Sequence, residues 1–278
     1  MKRFIQTLKN IWKIEELRKR IVYTLLLIMV YRLGCYIVIP GIDGSQLASL
    51  RGQTSEGLLG LLDMFSGGAF SNASIFALGV MPYISASIVI QLLGVMFPFF
   101  QRLQREGESG RRKMNQYTRY LTIVIIAIQG PAYIANLHAQ LPATAFVAGI
   151  QGAWYTILAT LILLGGTMFV MWLGERITDR GLGNGISLII MIGIIARLPR
   201  ALWLEITTKF TQTQGGILMF IIELVILFFV FIATIALVQA VRKVPVQYAK
   251  RVVGNKQYGG VRQYIPLKIN AAGVMPII

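Results

Sequence analysis

Between Asp63 and Gln91 the chain reads DMFSGGAFSNASIFALGVMPYISASIVIQ. A helical piece broken by glycine and serine runs straight into an apolar span that carries Gly79 and Pro82. Lipid offers no hydrogen-bond partners, so interrupted backbone at membrane depth survives only where protein buries it or where it lines a wet cavity. A chain with such a segment is expected to be built around a hole.

The surroundings of that segment place it in a membrane. Hydrophobic residues make up 55% of the 278 and charged residues only 14%, where a soluble domain carries about a quarter. The apolar residues lie in blocks: Ile21–Ile39, Ser74–Phe97, Tyr120–Leu137, Trp154–Leu173, Ile186–Trp203 and Ile217–Val241. Each approaches or exceeds the roughly 20 residues a crossing helix needs. A last block, Ala271–Ile278, is too short to cross and reads as the start of a seventh helix, which makes the chain a fragment. None of the apolar blocks alternates with the period of a barrel strand, so the expected fold is an all-α polytopic bundle. Ile21–Ile39 is long for the core of a cleavable signal and lacks a small-x-small exit. The one cysteine, Cys35, lies inside the first block and allows no disulfide within the chain.

A net charge of +16 would suit nucleic acid, but its placement suits topology. Lys2, Arg3, Lys9, Lys13, Arg18, Lys19 and Arg20 precede the first block; Arg102, Arg105, Arg111, Arg112, Lys113 and Arg119 lie between the second and third. Arg176 and Arg180 follow the fourth, and Arg242 to Lys268 follows the sixth. Loops of the opposite parity hold only Arg51, Arg197, Arg200 and Lys209. By the positive-inside rule the N-terminus is cytoplasmic. Before the first block, Phe4, Ile5, Leu8, Ile11, Trp12, Ile14 and Leu17 recur at helical spacing opposite lysines, the pattern of a helix lying in the interface. The stretches Gln101–Tyr117, Trp172–Gly185 and Arg197–Gly216 read as a hydrophilic loop, a tight turn and a flexible outside loop. Gly181-Leu182-Gly183-Asn184-Gly185 lacks the preceding strand and following Lys-Ser/Thr of a phosphate loop; its glycines suit two helix ends in close approach. Arg242–Lys268 alternates as a protruding hairpin, with Tyr248, Tyr258 and Tyr264 among its basic residues and no acid.

The runs FSGGAFSNASIFALGVMPYISASIVIQLL, EGESGRRKMNQYTRY, GTMFVMWLGERITDRGLGNGISLII and PLKINAAGVMPII closely resemble the SecY family, the channel subunits of the bacterial protein translocon. The likeness is collinear from the first block to Ile278 and weakest in the outside loops. It implies the first five-helix half of a ten-helix pseudo-symmetric channel plus part of the second. The segments would be an interfacial helix (1–20), the first half (21–205), a hinge loop (206–216) and the opening of the second half (217–278) with its loop 242–268. It further implies a waist of aliphatic side chains, here Val80, Ile84, Ile186, Ile190 and Ile278. A plug at Leu58–Ser71 would stopper it, with Phe65, Ser66, Gly67, Gly68, Ala69, Phe70 and Ser71 at its end. A side exit would open between the second and seventh helices. Implied partners are SecE- and SecG-like small membrane subunits, a SecA-like ATPase motor, the ribosome, signal peptides, unfolded or nascent polypeptides, and the lipid bilayer. Arg242, Lys243, Lys250 and Arg251, with Arg111 and Arg112, would meet the cytoplasmic partners in the bacterial inner membrane.

Spacing alone puts Val80 with Ile84, and Ile186 with Ile190, on single helix faces, as ordinary core or lipid-facing aliphatics also would be. A pore passing every kind of side chain cannot use charged rings, whereas aliphatics dewet when empty and pack around any strand. Leu58–Ser71 is too short to span and equally suits an outside loop helix. Arg32 and Glu223 are ionisable residues inside blocks, expected to be structural. His138 stands alone, and HExxH, a nucleophile elbow and convergent carboxylates do not occur in the sequence, so no catalysis, metal or cofactor is expected. The competing class, a secondary transporter with a broken-helix site, should bring polar or acidic groups to the midplane; this broken span brings Gly, Pro, Ser and aliphatics.

Overall fold

The computed structural model describes Gln6 and residues 12–47, 57–146, 152–211, 216–247, 251–253, 256–258 and 262–269. The described elements are nine α-helices, four strands and two short 3-10 turns, Gly44–Gln46 and Ala143–Ala145. The helices are α1 (Glu15–Gly34), α2 (Gly57–Phe65), α3 (Met81–Met96), α4 (Pro98–Arg105), α5 (Glu108–Gln140), α6 (Ala153–Arg180), α7 (Gly185–Ile195), α8 (Leu198–Thr211) and α9 (Gly216–Gln239). The strands are β1 (Val241–Gln247), β2 (Arg251–Val253), β3 (Lys256–Tyr258) and β4 (Arg262–Lys268). Two compact units divide the chain, Met1–Arg200 and Ala201–Ile278.

Glu108–Gln140, Ala153–Arg180, Gly185–Thr211 and Gly216–Gln239 are long and apolar enough to cross a membrane. The pair α3 and α4, bent by 100°, is long and apolar enough only when taken together. Pro98 dictates that bend. It opens α4 without an N–H to donate, and it forces Phe97 into extended backbone at φ −107° and ψ 127°. The apolar part of α4 then folds onto α5, where Leu103 is buried and Phe99, Phe100 and Tyr117 form an edge-on aromatic trio.

Several expected boundaries move. The first block does not run as a helix to Ile39: α1 ends at Gly34, and residues 37–39 pair with 73–75 instead (Ile39 N to Ala73 O 2.8 Å, Ile75 N to Ile37 O 2.9 Å). With Arg18, Lys19, Arg20 and Arg32 inside it, α1 is not among the helices that meet the criterion for spanning. The second block is helical only from Met81; residues 66–80 are turns. Gln101–Tyr117 is no loop but α4 and the first turns of α5, held by ion pairs such as Glu108–Arg112 at 2.9 Å. Likewise α6 runs to Arg180, leaving only residues 181–184 as the turn before α7. There a Cβ on Gly185 would lie 2.0 Å from Gly174 O, the close helix approach its glycines were expected to allow. Helix α8 fills most of Arg197–Gly216, and its Thr207, Thr208 and Thr211 satisfy their hydroxyls on carbonyls of their own helix. Of the expected interfacial helix, Phe4, Ile5, Leu8 and Ile11 lie outside the described residues.

In the first unit α6 packs against α5, α7 and α1, and α3 against α5. Two buried clusters form. One gathers Ile39, Leu47, Phe70, Tyr133, Leu137, Phe146, Tyr155 and Leu163; the other gathers Leu27, Tyr31, Ala69, Phe76, Val80, Val170, Ile177 and Ile189. In the second unit α9 is followed by the expected hairpin, an exception to an all-α fold: β1 pairs antiparallel with β4, and β2 with β3. Glu223 of α9 finds Lys209 of α8 at 2.8 Å, which explains a charge within an otherwise apolar helix.

Candidate functional site

The site grows from α2 and the turns after it. Ala69 and Phe76 belong to one buried cluster, Phe70 and Ala73 to the other, so the segment wedges between two cores. Gly67 and Gly68 stand at φ +66° and +91°, where side chains are disfavoured. A Cβ on Gly67 would lie 2.8 Å from Gly193 Cα, so the turn touches α7 backbone to backbone. Ser66 braces the turn internally: its hydroxyl donates to Asp63 O (3.1 Å) and accepts from Phe70 N (3.1 Å).

Three elements hold the turn from outside. From α1, Tyr31 donates its hydroxyl hydrogen to Ser66 O (3.2 Å) and Arg32 Nη1 donates to Gly67 O (3.0 Å). From α5, Tyr133 donates to Phe70 O at 2.9 Å. Just beyond α7, Arg197 Nη2 binds Asp63 Oδ2 and also reaches Ser71 Oγ at 3.2 Å. Asp63 Oδ1 accepts in turn from Ser71 N at 2.8 Å. Arg32 thus has the structural partner expected of it, and its guanidinium also lies 5.8 Å over the Tyr36 ring.

Val80 is buried in the cluster of Tyr31, Ala69 and Phe76, while Ile84, Ile186 and Ile190 pack partly buried against it. Residues at the start of α3 and on α7 therefore pack in or against the cluster that holds Ala69. Ile278 lies outside the described residues. Phe65 is exposed, whereas Ser66, Gly67, Gly68, Ala69, Phe70 and Ser71 are buried. Beside this region a cavity of about 310 Å³ is lined by Leu62, Phe70, Leu78, Met81, Tyr133 and Asn136, among others.

The expected docking residues lie on other elements. Arg111 and Arg112 are exposed on the first turns of α5, with Arg112 paired to Glu108. On β1, exposed Arg242 and Lys243 stand opposite Leu267 and Pro266. Arg251 is on β2 with its side chain outside the described residues, as Lys250 is entirely. Sequence reasoning did not single out Tyr31, Tyr133, Asp63 or Arg197 as anchors. The available signal was Asp63, an acid in the apolar run Leu61-Leu62-Asp63-Met64-Phe65.

These features define a multi-pass helical membrane protein with a polar-anchored turn segment wedged among its spans. A family model described as SecY matches residues 74–278. The chain belongs to the SecY family. It is 44% identical over 278 residues to the protein translocase subunit SecY of Streptomyces scabiei, covering 96% of this chain and 62% of that protein. Over 266 residues it is 44% identical to the same subunit of Escherichia coli K12, covering 95% and 59%. The Rickettsia conorii subunit is 43% identical over 267 residues, covering 95% and 61%. The chain thus spans about three fifths of the length of these relatives. A solved structure titled "The structure of a protein conducting channel" shares the fold with a TM-score of 0.57 at 16% identity, covering 94% of this chain and 55% of that one.

Proposed function

We propose that this chain is the core of a protein-conducting channel that moves unfolded polypeptides across the bacterial inner membrane and releases apolar segments sideways into lipid. The observation that supports this reading is the packing of Val80, Ile84, Ile186 and Ile190 in or against the buried cluster that also holds Ala69, part of a turn segment wedged between two cores. Residues 58–71 are the plug, and the four aliphatics are the described part of the waist, which dewets when empty and so limits ion leakage. The N-terminus is cytoplasmic, as the lysine and arginine asymmetry requires. A signal peptide leaves between the second and seventh helices of the complete channel. Its leucines each gain a few tenths of a kcal/mol at the bilayer centre. The hairpin face with Arg242, Lys243, Lys250 and Arg251, together with Arg111 and Arg112, docks the SecA-like motor or the ribosome. Contacts of these arginines and lysines with ribosomal RNA weaken steeply with salt. SecE- and SecG-like subunits clamp the complete assembly.

The test uses the full-length subunit in liposomes. Deleting residues 58–71 should produce ion conductance without saturable uptake of any small solute. A membrane that stays tight after the deletion, or saturable solute uptake, would overturn the reading.

A further inference from the structure

Among the described residues, Asp63 is the one acidic or basic residue whose surface is enclosed, its side chain 2% exposed. Its cation, Arg197, is 43% exposed. The other outside anchors, Tyr31, Arg32 and Tyr133, all donate to backbone carbonyls. Losing one of those leaves at most an unpaired carbonyl. Losing Arg197 leaves a carboxylate enclosed without its counter-charge, which is far more costly. The same carboxylate also holds Ser71 N, so the two ends of the turn, Asp63 and Ser71, are fastened to each other and to Arg197 together.

We propose that the Asp63–Arg197 ion pair is a charge latch that sets how readily the plug leaves its seat. The inference rests on the reading of residues 58–71 as a plug. Seated, the carboxylate is satisfied by Arg197 and Ser71 N; displaced into water, both charges are hydrated and nothing is strained. Replacing Arg197 by a neutral residue therefore raises the energy of the seated state alone and favours release. Neutralising Asp63 has a smaller effect, because a carboxamide oxygen still accepts from Ser71 N and no enclosed charge remains.

The experiment reads plug exposure in the full-length subunit in liposomes. Cys35 and any cysteine beyond residue 278 are replaced by alanine, and Ala69, fully buried, carries the reporter substitution A69C. A membrane-impermeant maleimide then measures displacement. R197Q should accelerate labelling about tenfold (about 1.4 kcal/mol) and D63N by less. The double variant D63N/R197Q should fall below R197Q, and R197K should stay near the parent. A separate reporter, L163C, in an equally buried position on α6, tells unfolding from displacement. If R197Q labels rapidly at both reporters, D63N decides: faster labelling at A69C alone supports the latch, and parental labelling overturns it. Parental labelling in both single variants overturns the latch while leaving the plug reading intact, provided deletion of 58–71 still leaks. Labelling of R197K as fast as R197Q also overturns it. A tight membrane after the deletion removes the plug reading and the latch with it.

Discussion

Gly67 allows the backbone argument to be tested separately from any charge. It combines a left-handed φ of +66° with a missing Cβ that would lie 2.8 Å from Gly193 Cα and 2.7 Å from Arg32 Nη1. Alanine at φ > 0 costs about 1–2 kcal/mol by itself. Arg32 is flexible and can withdraw, but then loses its bond to Gly67 O, a charged donor worth about 1.5–3 kcal/mol when intact. Arg32 is only partly buried, so the lower end applies. Gly193 Cα is backbone and cannot withdraw. Together these give about 3 kcal/mol against the seated state, a shift of about 150-fold toward displacement. Two controls divide the sum. Gly107 has nearly the same φ, +71°, with nothing within 4 Å of its missing Cβ, so G107A carries the strain without the collision. Gly193 has no such φ, and its Cβ would approach Phe65 O at only 3.1 Å, so G193A carries a mild collision without the strain. In the A69C labelling assay G67A should react far faster than either control. G107A should lower the melting temperature slightly and leave labelling unchanged. Labelling of G67A no faster than that of G107A would refute the close approach of Gly67 to α7 as the basis of the seat.

Three further outcomes follow from other contacts. Y133F removes the donor to Phe70 O, but that carbonyl keeps Ala73 N at 3.2 Å, so labelling of A69C should rise about fivefold (about 1 kcal/mol); no change would remove Tyr133 from the anchors. I84N or I190N should raise ion conductance with the plug in place, since a polar group in the waist holds water; tight vesicles would exclude these residues from the barrier. E175Q breaks the two-bond contact of Glu175 with Arg119 (2.6 and 3.2 Å), yet both side chains are partly solvated, so melting should register less than about 1 kcal/mol, with A69C labelling unchanged.

The spans were legible because lipid imposes apolar runs, whereas their ends were not. Charged ends extend helices through pairs such as Glu108–Arg112 and Arg119–Glu175, which composition alone renders as loop. The threonines of α8 read as flexible linker for the same reason, although each can satisfy its hydroxyl on its own helix. Cutting the first span at Gly34 depends on a pairing between residues 37–39 and 73–75, far apart in sequence and without side-chain signature. The hairpin was legible from its alternation. Val80, Ile84, Ile186 and Ile190 were distinguishable from other aliphatics only through family likeness, and spacing could not have selected them.

The anchors escaped the sequence for a reason that bears on how the seat works. A tyrosine or arginine donating to a carbonyl asks nothing of the side chain at that carbonyl, so Ser66, Gly67 and Phe70 give no sign of being held. Only Asp63, whose partner is a side chain, leaves a charge where an apolar run would otherwise continue. The two tyrosine anchors are each worth about 1 kcal/mol, too little to hold the turn singly. The four anchors together come, however, from three separate elements: Tyr31 and Arg32 from α1, Tyr133 from α5, Arg197 from beyond α7. One short turn cannot follow all three when they part. A movement that spread α1 from α5 or from the end of α7 would therefore break at least one anchor set, which would couple the width of the bundle to release of the turn through these carbonyl and carboxylate bonds.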